Sequence, residues 1–337
     1  MEDYYERTYL EDNNRQRKAR KKNNYLLHAG LFLITFVTTT IAGAEWIRGS
    51  LVDSYEFSYL LNGLPYAVSI MFIISCHEFG HYFAARYHKV NATLPYYIPF
   101  PSIAGFLNFG TMGAVIKTKS PIQTKKTMFD IGVAGPLAGF VACLIVLIYG
   151  FTHVPGIDYL LKIHPDFFSP DYGKNAIDLT FGDTLLFSFF KLIFVKQGHF
   201  FPPMSEIYHY PYLCVGWFGL LITAMNMIPV GQLDGGHIAY TMFGEKDHYK
   251  IAVISFVFLF VSGVTGLIDN LMGLDLNIGW SGWLFWALIL YFIIKIKHPP
   301  IPDDSKLDPF RMFLGYVSIF IFIISFSPTP FIVTIGT

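Results

Sequence analysis

His77-Glu78-Phe79-Gly80-His81 is the stretch whose residue types and spacing can do chemistry. Histidines four residues apart fall on one helix face, one turn apart, the separation two imidazoles need to share one zinc. Glu78, beside the first of them, can reach a metal-bound water as general base. The run before it, Pro65 to Cys76, is almost wholly apolar. Ionisable groups inside such a run are costly to keep unless they serve a function. A second stretch, Asn226-Met227-Ile228-Pro229-Val230-Gly231-Gln232-Leu233-Asp234-Gly235-Gly236-His237, breaks another apolar run. At membrane depth a broken backbone and a carboxylate need a partner or a cavity, and a metal supplies both.

The composition says where these groups must work. Of 337 residues 53% are hydrophobic and 14% charged, with 34 Phe, and the mean hydropathy is +0.45. A soluble domain carries about a quarter charged residues, so the chain reads as an integral membrane protein. Lys and Arg balance Asp and Glu at 24 each, which argues against a nucleic-acid partner. Cys76, Cys143 and Cys214 lie in or beside apolar runs and read as small core residues. Because Met1 to Asn24 is polar, no cleavable signal peptide is expected.

The expected fold is an all-α polytopic membrane protein, with six to seven transmembrane helices around a buried metal site and a short re-entrant β-hairpin or loop. Residues 1–24 form a cytoplasmic polar tail and 25–337 one membrane domain. Its core covers 64–240 with an outer loop at 152–212, and 241–337 supply C-terminal helices. Seven spans are expected: Leu26–Trp46, Leu64–Arg86, Phe129–Phe151, Leu213–Tyr240, Ile251–Ile268, Ile278–Ile296 and Met312–Phe326, each apolar and long enough or nearly so. Thr38, Thr39 and Thr40 can bond back to helix carbonyls, and His28 reads as interfacial. Gly132, Ala134, Gly135, Ala138 and Gly139 permit close helix contact, and Pro136 kinks that span or marks its start. Between 87 and 126, Pro95, Pro99 and Pro101 exclude a continuous helix. Gly110 to Lys119 alternates like a strand bounded by glycines, as a re-entrant hairpin or a surface-lying loop would. Phe181 to Val195, holding Asp183 and Lys191, reads as an interfacial helix.

Orientation follows from charge. With the N-terminus inside, the inner segments hold seven Lys and Arg in residues 1–24, six in 86–126, two in 244–250 and four in 295–311, leaving five elsewhere. At 1.5 Å per residue, His77 lies about 13 Å from the inner face at Arg86. The span descending from outside brings Asp234 to the same inner level.

A membrane-embedded HExxH followed some 150 residues later by NxxPxxxLDGG resembles the site-2 protease family of intramembrane zinc metalloproteases. Gly110 to Ile116 and Ala134-Gly135-Pro136 also resemble stretches of that family. The resemblance implies Zn2+ held by His77, His81 and Asp234, with Glu78 activating the water. It gives Asn226 a part in holding substrate or stabilising the oxyanion. Such a ligand set leaves one tetrahedral position for water, the arrangement of a catalytic zinc. His237 competes as third ligand or orients Asp234 from behind.

The implied substrate is a membrane-anchored protein with a single transmembrane helix, cleaved within or near that helix in the bilayer. The helix must unwind first, and a strand edge at Thr111, Met112, Gly113 and Ala114 can hold it extended by strand addition. The expected location is a bacterial-type plasma membrane, with N-terminus and active-site side cytoplasmic. The 152–212 loop is too short and aromatic for an inserted PDZ domain, and no CBS pair is expected. A transporter using the same buried His, Glu and Asp to relay protons or bind an ion is the competing reading. A membrane protease with a Glu helix as third ligand is another, for which no second helix motif is evident.

Overall fold

The first helix, α1 (Tyr25–Ile47), carries a run of three threonines, Thr38 to Thr40, in an apolar setting. Thr38, Thr39 and Thr40 donate their hydroxyls back to the carbonyls of Thr35 and Phe36, so these polar groups are satisfied within the helix. The computed structural model describes residues 25–47, 57–102, 107–174, 177–274 and 276–335; the polar tail expected over 1–24 lies outside them. One turn of helix, α2 (Phe57–Leu60), leads into α3 (Leu64–Tyr87), with Pro65 in its first turn, where a missing N–H costs nothing.

The stretch after α3 forms a hairpin. Strands β1 (Tyr96–Pro99) and β2 (Thr111–Val115) pair antiparallel, Tyr96 opposite Val115 and Tyr97 opposite Ala114. Thr38 Oγ1 and Trp46 Nε1 of α1 donate to the carbonyls of Gly110 and Asn108, each at 2.6 Å. The His28 ring nitrogen lies 2.9 Å from Pro95 O, and the Tyr66 hydroxyl of α3 donates to Phe109 O. Gly110 has φ +74, and a Cβ there would stand 2.5 Å from Thr39 Cα. Only glycine lets the hairpin lie this close to α1.

Helix α4 (Lys125–Thr152) begins at Thr124, whose side chain accepts from Thr127 N–H, and holds Pro136 inside. It packs almost backbone to backbone on α3: a Cβ on Gly80 would come within 2.5 Å of Ala134 O. Then follow α5 (Ile157–Ile163), β3 (Ile177–Phe181), α6 (Leu185–Phe194) and, after a 3-10 turn at Ile207–His209, α7 (Pro211–Asn226). The chain turns at 227–233 into α8 (Asp234–Met272), which breaks at Gly244 (φ 81, ψ 173). Next come α9 (Gly282–Ile289), extended by a π-helical stretch to Ile294, and α10 (Pro309–Ser325). Strand β4 (Phe331–Ile335) returns to pair antiparallel with β3, Phe331 opposite Phe181. The rings of Phe181, Trp217, Phe218 and Phe331 meet there as a buried cluster.

Among the described residues three helices, α1, α4 and α8, are long and apolar enough to cross a membrane. α3 has 24 residues, but His77, Glu78 and His81 lower its apolarity. α7 and α10 are shorter, at 16 and 17 residues. The run Leu213–Tyr240, counted as one span with a break from Asn226 onward, is two helices: Pro229 and Gly231 stop α7 and a new helix starts at Asp234. That new helix continues through Ile251–Ile268, so the expected gap between those spans shrinks to the Gly244 kink. The aromatic β3–β4 sheet was not expected at all.

The segments that charge counting assigned to one side do meet. Arg311 forks onto Asp130, at 2.8 and 2.6 Å, while Asp130 lies 2.8 Å from His88 Nε2. Asp303 accepts from Lys125 N–H, and Lys297 pairs with Glu245 at 3.0 Å. Arg311 also binds Asp308, whose carboxyl is thereby held below the usual carboxylate range. At the opposite end of α1, Ile47 O lies 2.6 Å from His209 Nδ1.

Candidate metal centre

α3 delivers His77, Glu78 and His81, all buried, and the first turn of α8 delivers Asp234. The two Nε2 atoms stand 3.0 Å apart. Asp234 Oδ2 lies 3.2 Å from His77 Nε2 and 3.4 Å from His81 Nε2. His81 Nδ1 is 2.7 Å from Ile131 O, so this nitrogen carries the proton and Nε2 turns a lone pair inward. A single proton shared between two of these atoms leaves the third lone pair facing them; one divalent cation engages all three. With edges of 3.0 to 3.4 Å, an ion placed equidistant from the three atoms sits about 2 Å from each, the distance zinc takes to His and Asp ligands. The donor set and its spacing therefore fit zinc.

Glycines make the room. A Cβ on Gly135 of α4 would lie 2.1 Å from His81 Nε2, and one on Gly139 would lie 3.0 Å from His77 Cβ. Gly132, one turn earlier, clears His237 in the same way. Bare backbone on one face of α4 is thus what lets imidazoles stand between α3 and α8. Spacing of i, i+3 and i+7 was visible in the chain, but it was read only as helix contact. Gly235 and Gly236 act differently: a Cβ on either would strike the carbonyls of Met227 or Gly231, at 2.0 and 2.4 Å. They let the start of α8 fold against the 227–231 turn, which holds Asp234 in place.

The Glu78 carboxylate lies near the backbone N–H of Ile116, the residue after Val115 in β2. The hairpin therefore ends on Glu78, and Ser75 Oγ lies 2.7 Å from the Tyr97 hydroxyl of β1. Of the strand residues singled out above, Thr111 turns inward and donates to Ile98 O, while Met112 is 62% exposed. Gly113 has φ +92 with open space where a Cβ would be, and Ala114 sits opposite Tyr97. Asn226 is the last residue of α7, across the turn from Asp234. His237 Nδ1 lies 2.8 Å from His298 Nε2, and the His298 ring stacks on Tyr240 at 4.2 Å. His237 Nδ1 is thus engaged by the segment after α9. No pattern marked His298 in the chain, since only folding brings it to His237.

No solved structure matches the chain significantly. Among curated proteins it is similar to "Probable zinc metalloprotease EGY2, chloroplastic" of Oryza sativa subsp. indica, 26% identical over 310 residues, covering 90% of this chain and 50% of that protein. The Arabidopsis thaliana protein of that name is 25% identical over 310 residues, 91% of this chain and 49% of its own. "Probable zinc metalloprotease EGY1, chloroplastic" of Oryza sativa subsp. japonica is 29% identical over 278 residues, 80% of this chain and 41% of its own. The chain spans about half the length of the curated relatives it matches. Those names place the relatives in the chloroplast, which lends no support to the expected bacterial-type plasma membrane. The model of Peptidase family M50 matches residues 65–264, more than half of the chain, including His77, Glu78, His81 and Asp234; the chain belongs to that family, the site-2 protease family.

Proposed function

We propose that the chain is an intramembrane zinc metalloprotease that hydrolyses a peptide bond within or near the transmembrane helix of a membrane-anchored protein. The convergence of His77 Nε2, His81 Nε2 and Asp234 Oδ2 within 3.4 Å, with Glu78 on the same helix, carries this reading. His77, His81 and Asp234 would hold zinc, which when bound lowers the pKa of a ligand water to about 7 and polarises a carbonyl. Glu78 takes the proton from the attacking water and passes it to the leaving amine nitrogen. The Ile116 N–H keeps the carboxylate aimed while it does so. Asn226 holds the substrate carbonyl or its oxyanion. His237 supports the start of α8 through His298.

Thr111, Met112, Gly113 and Ala114 keep the unwound substrate extended by adding it to the hairpin as a strand. α3, α7, α9 and α10 complete seven spans with α1, α4 and α8, and the metal centre lies nearer the face that carries His88, Asp130 and Arg311. That face is cytoplasmic or its organellar equivalent.

Zinc content tests the centre. Relative to wild type, detergent-purified His77→Ala loses about one zinc per chain and cleaves a single-span reporter at background rate. Unchanged zinc content in that variant would overturn the proposal. For the strand, Ala114→Pro removes a backbone donor and props the edge. Reporter cleavage should fall about tenfold or more, the effect of some 1.4 kcal/mol on the barrier, with zinc content unaltered. Equal cleavage rates would remove strand addition from the mechanism.

A further inference from the structure

His164, Glu206 and His209 lie together at the far end of α1. His28 near its start touches the hairpin, and Ile47 at its end touches His209. Nineteen residues of helix separate those contacts, about 28 Å at 1.5 Å per residue. His164 follows the last residue of α5 and His209 ends the turn before α7. Their Nε2 atoms are 2.9 Å apart. Glu206 Oε2 lies 3.4 Å from His209 Nε2 and 3.8 Å from His164 Nε2.

Three observations describe what this cluster lacks. His209 Nδ1 is 2.6 Å from Ile47 O, so in the neutral ring it carries the proton and leaves Nε2 a bare lone pair. Glu206 Oε1 accepts the Tyr172 hydroxyl at 2.8 Å. Glu206 Oε2, on a side chain 3% exposed, has no hydrogen-bond partner among the described residues. A proton on His164 can serve the His209 nitrogen but leaves that carboxylate oxygen bare, and a buried carboxylate oxygen without a donor is costly. A cation equidistant from the three atoms lies about 2 Å from each and engages all of them.

We propose that His164, Glu206 and His209 form a second site for a divalent metal of the zinc class, separate from the centre between α3 and α8. Two imidazoles and a carboxylate are a zinc donor set. Tyr172 and the Ile47 carbonyl orient two of the ligands from behind. His164, with 29% of its side chain exposed, leaves a fourth position for water. The metal clamps the end of α5 to the turn that starts α7 and, through His209, to the end of α1.

The test is zinc counting on full-length protein stripped with chelator, reloaded with zinc chloride and freed of unbound ion. Wild type should hold about two zinc ions per chain, His77→Ala, His164→Ala and Glu206→Gln about one each, and the His77→Ala/His164→Ala double variant none. Wild-type zinc content in both His164→Ala and Glu206→Gln would overturn the second site, whatever His77→Ala does. If His164→Ala does not fold, the isosteric Glu206→Gln decides alone. Zinc lost from His164→Ala and Glu206→Gln but fully kept by His77→Ala would leave this site standing and remove the centre proposed above.

Discussion

Gly135→Ala strips zinc from the centre between α3 and α8 and abolishes cleavage, although the substitution adds a single methyl group. Its Cβ would sit 2.1 Å from His81 Nε2 and 2.4 Å from the two ring carbons beside it. The ring cannot swing away without giving up the bond from Nδ1 to Ile131 O. Nor can α4 retreat cheaply, since Gly80 and Ala134 hold the two helices in near backbone contact. Relief must come from displacing Nε2, and a misplaced ligand costs a metal site more than it costs the fold. Overpacking of this kind typically destabilises by about 1 to 3 kcal/mol, which leaves a domain of this size folded. Reporter cleavage should fall to background and bound zinc by about one ion per chain. Gly30→Ala is the control: nothing lies within 4 Å of its Cβ, so zinc content and cleavage should match wild type. Full zinc occupancy in Gly135→Ala would show that His81 does not hold the metal.

Glu78→Gln should separate binding from turnover. The amide is isosteric, so the residue stays in place. It can no longer take a proton from water. Loss of a positioned general base costs about 10²- to 10⁴-fold, or about 3 to 5 kcal/mol of barrier. Steady-state cleavage of the reporter should drop by that factor while zinc content equals wild type. A variant that lost its zinc instead would place Glu78 among the ligands.

Much of the centre was legible because its parts are local. HExxH needs only one helix turn, and the broken stretch from Asn226 to His237 announced itself by Pro, Gly and Asp inside an apolar run. That the two stretches share one depth followed from charge counting, and the structure brings Asp234 to 3.2 and 3.4 Å from the histidines. The strand at Thr111–Val115 was also marked by its alternation and flanking glycines. What stayed hidden depends on distant pieces meeting. Gly135 reads as a generic small residue until His81 is seen against it. His298 and His164 carry no periodic signal, because their partners lie in other elements. β3 and β4 each have five residues and are separated by most of the C-terminal half, so neither reads as a strand alone.

The fastening of the hairpin to α1 has a mechanical consequence. Thr38, Trp46, His28 and Glu45 of α1 each hold the hairpin by one hydrogen bond, and Tyr66 and Ser75 add two from α3. At about 1 kcal/mol apiece, peeling the hairpin off its neighbours costs roughly 6 kcal/mol, a state visited by fewer than about one molecule in ten thousand. Any lateral opening toward Glu78 that keeps those bonds must therefore carry α1 and the hairpin together, as one body.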